Sequence, residues 1–169
     1  MDAATLRELQ APLKARYKSD PAAADTPISA RGDCRDPGVT CTVESWAGPV
    51  RAGLHPATGG DGSDACSGDM LLEALLACAG VTLRSVATAM GISLRSASLS
   101  AEGAFDARGT LAVDREVPVG VHDLVVTVEL DCDADDAALA RLVTATERYC
   151  VVGQSLRTSP RFVLRRQPA

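Results

Sequence analysis

The sequence predicts an α+β domain, and three observations carry that prediction. A long apolar stretch from about residue 67 to 90 has helical character, a segment ending at residue 130 alternates apolar and polar positions, and a second amphipathic helix follows before a last short strand. The predicted order is helix, three strands, long helix, two strands, helix, strand, with no internal repeat.

Each element has its own signal. Leu6, Leu9 and Leu13 recur at helical spacing, giving a first helix over 2–18 that ends near Asp20 and Pro21. Pro12 is expected to kink it. This helix, residues 1–20, reads as a docking arm beside a single domain over 21–169. Strands are expected at 27–30, 39–45 and 50–54, separated by turn residues at Gly32-Asp33, Asp36-Pro37-Gly38 and Ala47-Gly48-Pro49, which together suggest an antiparallel meander. After the glycine-rich loop 57–62, Asp64 or Ser67 can cap a helix that runs to Met90 and stops at Gly91. Its first half is apolar on nearly every side, as in a central buried helix. Strands follow at 94–105 and 117–130, where Leu124, Val126, Val128 and Leu130 alternate with other residues. Asp133 or Asp135 then caps a helix whose stripe is Leu139, Leu142, Val143 and Thr146, continued one turn on by Cys150, and the last strand is expected at 161–165.

Composition removes several functions. The chain has 169 residues, 46% of them hydrophobic and 23% charged, which suits one folded domain. Only 3% are aromatic, and 17 Lys and Arg stand against 22 Asp and Glu for a net charge of −5. An acidic surface without an aromatic platform does not suit nucleic acid. The longest uninterrupted apolar run, residues 74–83, is about half of a membrane span. No basic and apolar leader pattern opens the chain, so a cytoplasmic protein with reduced thiols is expected.

Metal and nucleotide chemistry are also unsupported. The six cysteines form no C-x-x-C pair, His55 and His122 are isolated, and the 59–64 loop lacks the lysine and spacing of a phosphate loop. No cofactor or metal is expected, and no G-x-S-x-G elbow marks a serine hydrolase. Cysteines remain. A single buried cysteine usually reads as a small hydrophobe, but Cys78 and Cys150 fall on stripes of the two core helices, which can pack at about 8–10 Å and bring side chains within disulfide reach. Cys66, near the start of the long helix, is a further thiol of interest, because helix N-termini favour thiolates.

Residues 68–83 (GDMLLEALLACAGVTL) and 147–156 (ERYCVVGQSL), with their cysteines 72 positions apart, resemble the OsmC/Ohr family of osmotically inducible and organic-hydroperoxide-resistance proteins. The resemblance covers roughly 27–165. It implies an OsmC-like α+β fold, with antiparallel sheets around a long central helix, and an intertwined homodimer with active sites at the subunit interface. It implies Cys78 as the peroxidatic thiolate and Cys150 as the resolving thiol of an organic-hydroperoxide peroxidase, with a dithiol such as a lipoyl group as reductant. Family peroxidases usually carry a glutamate nine or ten residues before the first cysteine, where this chain departs with the shorter Asp69, and pair it with an arginine; the candidates in this chain are Arg51, then His55, then Arg35. Such relatives often carry proline after the second cysteine, where this chain has Val151. Leu71, Leu75 and Leu156 are expected to wall an apolar substrate pocket. Burial alone raises a thiol pKa, so this reading expects Arg51 or a partner-subunit arginine beside Cys78. The rival reading is a redox-inactive dimer of the same fold that binds a small apolar ligand at its interface.

Overall fold

The computed structural model describes residues 1–167, and every helix and strand named below lies within that span. Helix α1 (Ala3–Ser19) starts after Asp2, whose Oδ1 accepts the Thr5 N–H at 2.8 Å, and continues through Pro12. None of its residues is fully buried; Leu6 is partly covered, while Leu9 and Leu13 of the expected docking arm are exposed in the single chain.

Strand β1 (Arg31–Asp33) lies later than expected, on residues whose composition suggested a turn. The reason is steric. A Cβ on Gly32 would sit 3.1 Å from the Cys41 sulfur, so the glycine serves a close approach within a sheet and does not mark a bend. Strands β2 (Cys41–Ser45) and β3 (Gly48–Gly53) form the anticipated hairpin, turning at Trp46 and Ala47 with Gly48 at φ 128°. β1 and β2 pair antiparallel, Asp33 opposite Thr42, and Thr42 in turn lies opposite Arg51 of β3. A two-residue strand, β4 (Ala65–Cys66), adds to β3 in parallel and completes a sheet of order β1-β2-β3-β4.

Helix α2 (Ser67–Met90) has the expected span. Ser67 is its first residue, and the side chain of Asp64 pairs with Arg51, so neither supplies the anticipated cap. The helix stops where Gly91 adopts φ 72° and the Ile92 N–H reaches back to the Ala87 carbonyl. Only the row Leu75, Ala79, Leu83 and Ala87 is buried, while Ala77 and Val81 are exposed. The expectation of a helix buried on nearly every side therefore fails for one chain. Counting an uninterrupted apolar run also understates α2: its most apolar 18-residue window has a mean hydropathy of 1.6, enough by length and composition to cross a membrane. The buried row instead makes it the core helix of a folded unit.

The chain continues through β5 (Ser96–Phe105), a single helical turn α3 (Ala107–Thr110) after the Asp106 cap, and β6 (Val121–Asp131). Then come α4 (Asp136–Tyr149), the short helix α5 (Val151–Gln154) and β7 (Arg161–Arg166). Asp135 caps α4, its carboxylate accepting the Ala138 N–H at 2.6 Å. Strands β5-β6-β7 form a second sheet in that order, and β7 runs parallel to β6 with Val126 opposite Phe162. Each sheet thus ends in a parallel pair where antiparallel sheets were expected.

The chain groups into two compact units. Met1–Pro27, Leu75–Ala101 and the chain from Val125 on make the first; Ile28–Ala74 and Glu102–Leu124 make the second. The core of the first unit brings Leu75, Ala79 and Leu83 of α2 against Val126, Val128 and Leu130 of β6 and Leu139 and Leu142 of α4. Burying each leucine stabilises the fold by about 1.5–3 kcal/mol. Thr146, the one buried polar side chain among the described residues of this core, donates its hydroxyl to the Leu142 carbonyl at 2.8 Å and is satisfied.

Candidate active site: a pair of thiols

Cys78 stands one position before the buried Ala79 on α2 and is half-buried between the small residues Ala77 and Ala79. Cys150 is fully buried, at the point where α4 ends. Its N–H still donates to the Thr146 carbonyl at 3.0 Å, but its ψ of 101° leaves the helical range and the chain restarts at once as α5. The Cys150 sulfur caps that new turn by accepting the Gly153 N–H at 3.4 Å. Gly153 is buried, and a Cβ there would lie 3.3 Å from the Cys150 sulfur and 3.5 Å from Cδ1 of Leu75, so a larger residue would press on both. Leu75 is therefore packed core and not the wall of an open pocket that the sequence suggests.

This restart sets the electrostatics of Cys78. Burial pushes its pKa up, but the main-chain N–H of Val152, the Cys150 thiol, the N–H of Val151 and the Thr82 hydroxyl together outweigh burial and hold it below the ordinary thiol value. Each is a neutral donor whose hydrogen bond is stronger to a thiolate than to a thiol. Cys150 moves the other way. Its burial, and the hydrogen bond its S–H donates to a negative Cys78, keep it protonated, despite the opposing Gly153 N–H. The pair divides the labour: one sulfur is inclined to ionise and its neighbour holds a proton toward it. Such an arrangement can carry out thiolate attack on an electrophile and then close a disulfide.

The other candidates all belong to the second unit. Arg51, half-exposed on β3, pairs with Asp64 at 3.3 Å and donates to the Pro37 carbonyl at 3.4 Å. Arg35 pairs with Asp33. His55 accepts the Ala57 N–H at its Nδ1 at 3.0 Å, and its ring stands edge-on to Phe105 with centroids 5.2 Å apart. Asp69 is exposed in the first turn of α2 and, with His55, Cys66, Leu72 and Phe105, lines a cavity of about 290 Å³. The structure thus brings Cys78 to Cys150 in one unit, and His55 to Asp69 in the other.

Thr82 and the amides of Val151 and Val152 were not singled out from the sequence. Thr82 is four residues after Cys78, on the same helical face, and that spacing was a legible signal. The amides had only an indirect one, the break in helical pattern after Cys150. Among the described residues, no group of three or more His, Cys, Asp or Glu side chains is placed to hold a metal ion.

A family model for OsmC-like proteins matches residues 60–165, more than half of the chain. The chain belongs to the OsmC-like family. Its fold is shared with solved members that differ widely in sequence. An OsmC-like protein from Mycoplasma pneumoniae superposes with a TM-score of 0.68 at 12% identity, over 85% of this chain and 97% of that one. The organic hydroperoxide resistance protein OsmC of Legionella pneumophila gives 0.60 at 18% identity, over 85% and 100%. The organic hydroperoxide resistance protein OhrB of Bacillus subtilis gives 0.53 at 17% identity, over 83% and 98%. At such identities the likeness shows the OsmC-like α+β fold alone. No curated protein sequence matches the chain.

The two thiols should be separable by alkylation. With iodoacetamide at increasing pH, Cys78 is expected to reach half its maximal rate below the midpoint of an ordinary cysteine and Cys150 above it, read by peptide mass. Identical midpoints would remove the division of labour.

Proposed function

We propose that the protein is a thiol-dependent peroxidase that reduces organic hydroperoxides, with Cys78 as the peroxidatic and Cys150 as the resolving thiol. The observation that carries this reading is the packing of Cys78 against the core that buries Cys150, and neighbouring donors, the Cys150 thiol among them, lower the Cys78 pKa. Membership of the OsmC-like family supports it, as do fold neighbours described as organic hydroperoxide resistance proteins.

The chemistry balances without a cofactor. The Cys78 thiolate attacks the terminal oxygen of R–O–OH, the O–O bond breaks, and the alkoxide takes a proton to leave as the alcohol. Cys78 becomes a sulfenic acid. The Cys150 sulfur attacks that sulfur, water departs, and a Cys78–Cys150 disulfide remains. An external dithiol, a lipoyl group among the candidates, restores both thiols and is itself oxidised to a disulfide.

The neutral donors make an arginine unnecessary for lowering the Cys78 pKa. In this reading Arg51, His55 and Asp69 of the second unit have no part in lowering that pKa. A homodimer belongs to the same proposal. The uncovered side of α2, with Val81 at 73% exposure, is an apolar surface that a second copy would cover. The reading places this chemistry in the cytoplasm.

The test is a titration of reduced protein with one equivalent of cumene hydroperoxide, followed by counting of free thiols and peptide mapping. Loss of two thiols with a Cys78–Cys150 cross-link is expected. Retention of every thiol would favour the redox-inactive reading, with a small apolar ligand at the dimer interface.

A further inference from the structure

The second unit carries another sulfur pair, far from Cys78 and Cys150 in sequence and given no role by the proposed reaction. Cys34 immediately follows β1 and Cys41 opens β2. The antiparallel register puts Asp33 opposite Thr42, and the next step of the same register puts Cys34 opposite Cys41. Opposed residues in an antiparallel pair have Cα atoms about 4.5–5.5 Å apart and side chains on one face, inside the range a disulfide spans.

Two further observations agree. Gly32, two residues before Cys34 and on the same face, leaves the space that the Cys41 sulfur occupies, 3.1 Å from where its Cβ would be. The Cys34 pKa is raised, first through hydrogen bonding with the Cys41 side chain and then by the charge Cys41 would carry, which agrees with sulfurs that lie close together. The register and the space at Gly32 thus set the two residues side by side in the reduced protein, where both are free thiols.

Two hydrogen bonds tie the loop between them to the flanking strands. The Arg35 N–H donates to Asp33 Oδ1 at 2.8 Å, and the Thr42 hydroxyl donates to Asp36 Oδ2 at 2.6 Å. Cys34 is exposed and Cys41 partly so, which leaves the pair open to a small reagent from solvent.

We infer that Cys34 and Cys41 form a second dithiol–disulfide couple, a surface redox site that exchanges with low-molecular-weight disulfides. The exchange has two steps. A thiolate of the pair attacks one sulfur of R–S–S–R, forming a mixed disulfide and releasing RS⁻, which recovers the proton the cysteine gave up. The second cysteine then attacks the protein sulfur of that mixed disulfide and releases the other R–SH. Two protein thiols are oxidised to one disulfide, and one small disulfide is reduced to two thiols. No slip of the strand register is required, because the reduced geometry already opposes the two residues.

The experiment uses oxidised glutathione as the disulfide, with full-length protein carrying Cys78→Ser and Cys150→Ser so that the first pair is silent. Loss of two thiols, a Cys34–Cys41 cross-linked peptide, and recovery of both thiols with dithiothreitol are expected. Adding Cys34→Ser should remove the cross-link. Parent protein mapped after the same treatment provides a second route if the double variant folds poorly, since the two cross-links yield different peptides. Glutathione adducts that persist separately on Cys34 and Cys41, or thiols that stay reduced while iodoacetamide still alkylates them, would overturn the inference. Because the site thiols are absent from the double variant, such a failure leaves the peroxidase reading untouched.

Discussion

Protein carrying Cys78→Ser is expected to consume organic hydroperoxide no faster than buffer, and Cys150→Ser to complete one turnover and stop. The first loss follows from electronics. A serine hydroxyl in the same donor set stays un-ionised at neutral pH, and its oxygen cannot take up the peroxide oxygen as a thiolate does. The second follows from the buried sulfur beside it, since without Cys150 the sulfenic acid on Cys78 loses the thiol that neighbours it. Dimedone should then label Cys78 stoichiometrically, read by mass, while circular dichroism reports an intact fold. A Cys78→Ser variant that consumes peroxide as fast as the parent would sink the mechanism, whatever the standing of the fold.

The largest expected effect on stability is at Leu83. It is fully buried on the row of α2 that meets β6 and α4, and Leu83→Ala should cost about 2–5 kcal/mol in urea unfolding, through lost transfer energy and the cavity left behind. Val81, two residues earlier on the exposed side, is the control. In an isolated chain Val81→Ala should change stability by less than about 0.5 kcal/mol. A larger loss there, shrinking on dilution, is the signature of a second copy covering that face. A loss at Leu83 no greater than at Val81 would contradict the packing described.

Long, repeated patterns were the legible part of this fold. The span of α2, the alternation in β6 and the stripe of α4 all rest on several turns or residue pairs that agree with one another, while the letters alone leave the cap of α4 open between Asp133 and Asp135. What escaped was short. β4 has two residues and α3 four, too few for any period to show, and β1 was hidden because Gly32-Asp33 carries the letters of a turn while Gly32 meets a steric need of the sheet. The candidate site divides in the same way. Cys78 and Cys150 were readable from their helical stripes and from the family likeness, and Thr82 could have been read from its spacing. The amides of Val151 and Val152 could not, because a main-chain donor has no letter of its own; only a local backbone geometry, in this chain the extended ψ at Cys150, turns it toward a sulfur.

That dependence on backbone amides has a lasting effect on the thiolate's robustness. A guanidinium can be lost by one base change, and its long-range pull is dulled by dissolved ions; a peptide N–H survives almost every residue exchange and acts at contact distance, beneath the reach of the ionic atmosphere. Only an imino acid would delete it. By carrying valine at 151, the chain keeps one amide that a proline there would have forfeited, so its acidity is written into the course of the polypeptide and is largely insulated from drift in the side chains around it.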